Sequence, residues 1–175
     1  MEENMATAGV QQATLTVWKF PTATGAAEAV KTVKTLQQEG LINLIDAAIV
    51  SWPENKSKPK TQQLSGFAGV GALSGSFWGL LFGLIFFVPI LGMAIGAGLG
   101  ALAASMSDVG ISDDFIRRVR SEVTPGTSAL FAYTSGAVVD KVQAAMKPHN
   151  PTLLTSNLSA DQEKQLRMAF AEEAG

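Results

Sequence analysis

The chain contains no cysteine, which excludes disulfides, thiolate metal sites and cysteine nucleophiles. Histidine is almost as scarce. His149 is the single one, in the run KPHNP, and with no second histidine or cysteine to complete a zinc site or a nucleophile pair it reads as a solvated turn residue. Neither sign of charge dominates: 13 Lys and Arg against 15 Asp and Glu give a formal net charge of -2. A phosphate-binding surface needs a local excess of Lys and Arg, so nucleic acid is not an expected partner. The N-terminal MEENMATAGVQQA is acidic and lacks an apolar core, and does not resemble a secretory signal. The largest absence is internal, because residues 61–107 carry no Asp, Glu, Lys or Arg at all.

That charge-free stretch has a pattern of its own. Glycine recurs at every fourth position, as Gly71, Gly75, Gly79 and Gly83 and again as Gly92, Gly96 and Gly100. At about 3.6 residues per turn each row falls on one helical face, where missing side chains let another helix approach closely. Residues 65–87 would make about 35 Å of helix, enough to cross a hydrocarbon core of about 30 Å, and residues 90–106 nearer 25 Å. Val88-Pro89 is a plausible turn between the two arms, since proline lacks the amide hydrogen a helix interior needs. The expectation is a transmembrane-type glycine-zipper helical hairpin over 61–107, or else a hairpin buried inside a water-soluble oligomer. Lys56, Lys58 and Lys60 stand just before it, where positive charge marks the cytoplasmic side of a span. Gly66, Gly69 and Gly98 add small residues off the main rows. The seven row glycines are therefore assigned to helix packing and to homo-oligomerisation, with membrane lipid and further copies of the chain as partners.

The flanks alternate between strand and helix signals. Residues 14–20 (TLTVWKF) suit a strand ended by Pro21, and residues 25–39 place Ala26, Ala29, Val30, Val33 and Leu36 on one helical face closed by Gly40. Residues 43–52 (NLIDAAIVSW) read as a second strand ended by Pro53, followed by the polar linker ENKSKPKTQQ. Beyond the hydrophobic stretch, Ser112 is a good N-cap for a short helix through Val123, with Asp113 and Asp114 in its first turn. A turn at Pro125-Gly126, a strand over 127–134, a helix over 137–146 and a strand over 152–157 follow, and Ser159 with Gln162 starts the last helix. Strand, helix, strand, strand, helix, strand is the split βαβ order of ferredoxin-like domains. The fold class expected is α+β, with a flexible leader over 1–13, a discontinuous ferredoxin-like domain over 14–60 and 108–175, and the hairpin inserted between its two middle strands.

Little in the chain points to chemistry. Asp108, Asp113 and Asp114 could be drawn as a hard-cation site, but the last two sit where carboxylates offset a helix dipole. The run GFAGVGALSG lacks the Lys-Ser or Lys-Thr that would make it a phosphate loop. Trp18 and Trp52 read as core or interface residues, and Asp46 as a polar strand residue facing solvent. No catalytic, cofactor-binding or metal residue is assigned, and the chain is not expected to be an enzyme.

The segments LTVWKF, DAAIVSWPENKSKPKTQQL, GALSGSFWGLLFGLIFFVPILG, SDVGISDDFIRRVRSEVTPGTSALF and SNLSADQEKQLRMAF together resemble a bacterial family of membrane protein domains of unknown function. The resemblance covers nearly all of the chain from Thr14 to Phe170 and is most specific at SWP, FWGLLFGLIFFVP and PGTSALF. It implies a bacterial, membrane-associated protein without known enzymatic activity, and it supplies no catalytic residues. The resulting expectation is a scaffold or stress-related homo-oligomer in the bacterial inner membrane, its soluble domain and both termini cytoplasmic. The alternative is a pore lined by the hairpin, with Ser65, Ser74, Ser76 and Ser105 offering hydroxyls and no charge in the spans to act as a filter.

Overall fold

β1 (Thr14–Phe20) pairs in antiparallel register with β4 (Thr127–Ser135), from Thr14 opposite Thr134 to Phe20 opposite Ser128. β2 (Asn43–Trp52) takes the other edge of β4, and β5 (Thr152–Ser156) takes the other edge of β1, so that these β-branched and aromatic runs assemble through non-local ladders. The whole is a computed structural model that describes residues 14–64, 75–87, 111–136 and 138–174. The sheet has five strands in the order β3-β2-β4-β1-β5, every neighbouring pair antiparallel. β3 (Lys60–Gln63) is the strand that the linker expectation missed: its sequence KTQQ is polar and exposed, and only its pairing with Ala48 to Ser51 of β2 makes it a strand.

Among the described residues five α-helices complete a mixed α+β architecture. α1 (Gly25–Gln38) buries the expected face and ends as expected at Gly40, whose φ of 77° lets the Leu41 amide donate to the Leu36 carbonyl. Its first residue is forced to be small, because a Cβ on Gly25 would stand 2.5 Å from that of Phe20. α2 (Gly75–Phe82) runs on into a π-helical turn over Gly83–Phe87. α3 (Asp113–Glu122) has Ser112 as its cap, accepting a hydrogen bond from the Phe115 amide. α4 (Val139–Met146) passes into a 3-10 turn at Lys147–His149, and α5 (Ala160–Ala174) starts with the Ser159 hydroxyl accepting from the Gln162 amide.

The sheet is apolar on both faces. Alternation along β1 sends Trp18 and Phe20 to one side and Leu15 and Val17 to the other. The first side, with Leu44, Ala47, Leu130, Ala132 and Leu153, is covered by α1, α4 and α5. The second, with Ala48, Val50, Ala129, Phe131 and Leu154, is covered by α2 with its π turn and by α3. The layers are therefore helix, sheet, helix, and part of the hydrophobic insert supplies the third layer.

This corrects the lipid-facing expectation for residues 75–87, the described part of the first arm. Residues 75–87 lie along the sheet, from Asp46 at one end of β2 to Trp52 at the other, with Trp78, Leu81, Phe82 and Ile85 buried at i, i+3, i+4 and i+7. Among the described residues no helix is long and apolar enough to cross a membrane. The physical reason is that a sheet with two apolar faces needs two covers, and the apolar strength that reads as lipid-facing in the sequence serves as one of them. Residues 65–74 and the second arm at 90–106 fall outside the described residues, as do the leader, Gly71, Gly92, Gly96 and Gly100.

Candidate functional site

The best-defined polar feature of the insert's docking face is a buried carboxylate. Asp46 is 3% exposed, which contradicts its expected position in solvent. A bulge between Leu44 and Asp46 in the pairing with β4 moves Asp46 out of phase with Leu44 and aims it at the insert. There its Oδ2 accepts from Trp78 Nε1 at 2.9 Å and from Gln63 Nε2 at 3.0 Å, while Oδ1 accepts from the Ala47 amide at 2.8 Å. One side chain thus ties β2, the edge strand β3 and α2 together. A buried carboxylate is costly unless its lone pairs are met, and these three donors meet them.

From Trp78 an aromatic row runs along the arm. The indole stacks on Phe82 at 5.7 Å, both rings stand edge-on to Phe131 of β4 at 6.3 and 5.1 Å, and Phe86 meets Trp52 edge-on at 6.2 Å. At the far end Arg120 of α3 donates from Nε to the Ile85 carbonyl and from Nη2 to the Leu84 carbonyl, both at 3.1 Å. These carbonyls belong to the π turn, where the ordinary helical ladder is interrupted, and the guanidinium occupies them. The arm is pinned at its start by Trp78 and at its end by Arg120.

Its outward side is bare. Gly79 is exposed and Gly83 half-buried, and a Cβ on either would meet nothing within 4 Å. Gly79 and Gly83 are therefore no seam between α2 and the sheet, and among the described residues no helix packs on them. Gly75 opens α2.

The remaining candidates have structural roles. His149 is half-buried, its Nε2 2.6 Å from the Thr32 hydroxyl and its ring edge-on to Phe20, so it holds the α4–β5 turn against α1 instead of standing in solvent. Asp113 and Asp114 occupy the first turn of α3, and among the described residues no three His, Asp or Glu converge as a metal site. Trp18 is core, with its Nε1 donating to the Thr16 hydroxyl and its ring edge-on to Phe170. Beside it a cavity of ≈ 40 Å³ between the sheet and α1, α4 and α5 has room for a few waters, well short of an ordinary ligand site. The Asp46–Trp78 pair was the feature sequence reasoning missed, though a lone acid inside NLIDAAIV was its visible signal.

Fold and site together define a mixed α+β domain whose sheet is closed on its second face by an apolar insert. Residues 72–171, more than half of the chain, match the family described as Protein of unknown function (DUF1269), and the chain belongs to that family. The match starts inside the insert and runs nearly to the end of α5, so it takes in the insert's described arm, α3, β4, α4 and β5, while β1, β2 and β3 precede it. Neither a curated protein nor a solved structure matches the chain. The family description agrees with the resemblance in unknown function and says nothing of a membrane.

Proposed function

We propose that this protein is a non-enzymatic, membrane-associated scaffold that assembles with copies of itself through the outward glycine face of α2. The observation that carries the reading is the two-sided apolar character of the arm. Residues 75–87, GSFWGLLFGLIFF, hold no charge, yet only one side of the helix is used against the sheet. A helix that is apolar all round calls for cover all round. With Gly79 and Gly83 open on that side, the geometry favours a close-approaching helix over bulky side chains. The charge-free residues 88–107 that follow support membrane association, with the body and both termini on the cytoplasmic side of a bacterial inner membrane.

The body reads as a ferredoxin-like, split βαβ domain. Leaving aside the added edge strand β3, the four remaining strands lie in the order β2-β4-β1-β5, all antiparallel, with α1 and α4 on one face, as that connectivity requires. The insert leaves between its two middle strands. A soluble oligomer is the second reading, favoured by the burial of the arm's inner side on the protein's own sheet.

The test is the double substitution Gly79→Leu/Gly83→Leu, assayed by membrane fractionation and by particle size in mild detergent. The expected result is an intact fold, since both positions are open, with loss of the native oligomer. An unchanged oligomer refutes the glycine face. Oligomers recovered from buffer without detergent keep the assembly and transfer the protein to the soluble reading.

A further inference from the structure

We infer that the turn between β2 and β3, with Trp52 behind it, is a docking surface for anionic lipid; the inference rests on the membrane association proposed above. The turn runs PENKSKP between Trp52 and Lys60, and Lys56, Lys58 and Lys60 are all exposed. Its shape is held from within. The Lys56 amide donates to the Pro53 carbonyl at 3.1 Å, the Trp52 indole donates to the Lys56 carbonyl at 3.0 Å, and Pro53 and Pro59 fix φ at each end. Little ordering is left to be done on contact, which lowers the cost of binding.

The position of the turn makes the assignment. Phe86 of the π turn stands against Trp52, and the charge-free run 88–107 continues from Phe87, so the three lysines sit at the end of the body from which the apolar chain departs. A half-buried tryptophan with a phenylalanine beside it and lysines around it matches the amphipathic make-up of a membrane–water boundary. The acids at this end offset the turn only in part. Glu54, exposed and lying against Gly126, is the single acid among its three lysines, and Glu122 is half-buried on the last turn of α3. Among the described residues the three lysines make no ion pair. The patch is positive on a chain whose net charge is negative, so it is not a by-product of overall composition. Its lysines alternate along the chain and are all exposed, which suits a fluid anionic surface better than a shaped acidic ligand.

The experiment uses the full chain and vesicles of phosphatidylcholine with and without phosphatidylglycerol. Each lysine near an anionic surface contributes about five-fold in partitioning, so removing all three should weaken binding to the anionic vesicles on the order of 100-fold at low salt. The expected result is a preference for anionic vesicles that K56Q/K58Q/K60Q abolishes while its binding to neutral vesicles and its thermal unfolding stay unchanged. Trp52 supplies a second readout: brominated lipid should quench a component of the emission that W52F lacks, Trp18 and Trp78 being buried. If the protein binds vesicles but the lysine variant keeps the full anionic preference, the inference fails and membrane association stands. If the wild type binds neither kind of vesicle, the membrane reading fails and this inference with it. Binding to polyglutamate without any lipid preference assigns the patch to an acidic protein and likewise overturns it.

Discussion

Replacing Trp78 by phenylalanine isolates the tether between insert and sheet. Phenylalanine preserves a ring to stack on Phe82 and to face Phe131, and removes the Nε1–H that donates to Asp46 Oδ2 at 2.9 Å. Asp46 keeps the Gln63 amide and the Ala47 N–H, so the carboxylate loses one donor and retains at least these two. A hydrogen bond to a charged group contributes about 1.5–3 kcal/mol, and both partners are buried, so that range applies without a discount for solvent. For a chain of this length a loss of that size lowers the melting temperature by roughly 3–12 °C. The assay is denaturant and thermal unfolding followed by far-UV circular dichroism, because the substitution also removes a tryptophan signal.

A double-mutant cycle with Asp46→Asn separates the hydrogen bond from the lost indole volume. Asparagine puts an amide N–H₂ against at least one of the existing donors, a conflict that the Trp78→Phe background partly relieves. Trp78→Phe should therefore cost about 1–2 kcal/mol less in the Asp46→Asn protein than in the wild type. Additivity of the two changes to within about 0.5 kcal/mol would show that the indole and the carboxylate do not communicate, and the tether would be wrong.

Two further substitutions probe how the layers are held. Arg120→Met keeps an apolar stem over the π turn but leaves the Leu84 and Ile85 carbonyls without their donor; since Arg120 is largely exposed, the loss should be about 0.5–1.5 kcal/mol by urea unfolding, and an unchanged midpoint would remove the guanidinium from the account. Gly25→Ala inserts a methyl 2.5 Å from the Phe20 Cβ, and should destabilise by about 1–3 kcal/mol despite the better helix propensity of alanine; a stabilised protein in the same measurement would mean that α1 shifts freely on β1.

Elements whose signals are local could be read from the chain. The Gly40 stop and the Ser112 cap each depend on a few neighbouring residues, and both stand where their residue types predict. The four long strands of NLIDAAIVSW, TLTVWKF and their partners announce themselves through β-branched and aromatic content. KTQQ does not, because nothing in four polar residues specifies a strand until β2 offers an edge. Asp46 was misread for a related reason. Strict alternation puts it on the side of Leu44, and the bulge that puts it on the opposite face is decided by the ladder with β4. The first arm of the insert illustrates a third limit, since hydropathy measures how strongly a helix avoids water and is silent about what covers it.

That last limit bears on function, because the two sides of α2 make separate demands. If covering the sheet were its whole task, the inward Trp78, Leu81, Phe82 and Ile85 would suffice, and the outward side could carry lysine and glutamate as α5 does. Instead the outward side offers Gly79 and Gly83, and the sequence of the arm has only the Ser76 hydroxyl for a polar side chain besides the tethered indole. Outward glycine weakens a helix by about 1 kcal/mol at each position relative to alanine, a cost with no return inside this body, where a Cβ would meet nothing. In the proposed assembly that cost is offset by a partner that comes close enough to use the missing side chains. The same arm is fastened to the sheet at Asp46 and to α3 at Arg120, one contact near each end, so its outward face is held in a fixed direction relative to the strands. A helix packed on that face would meet a prealigned surface, and the orientation of the whole body against its neighbour would follow from two hydrogen-bonded contacts already present in the single chain.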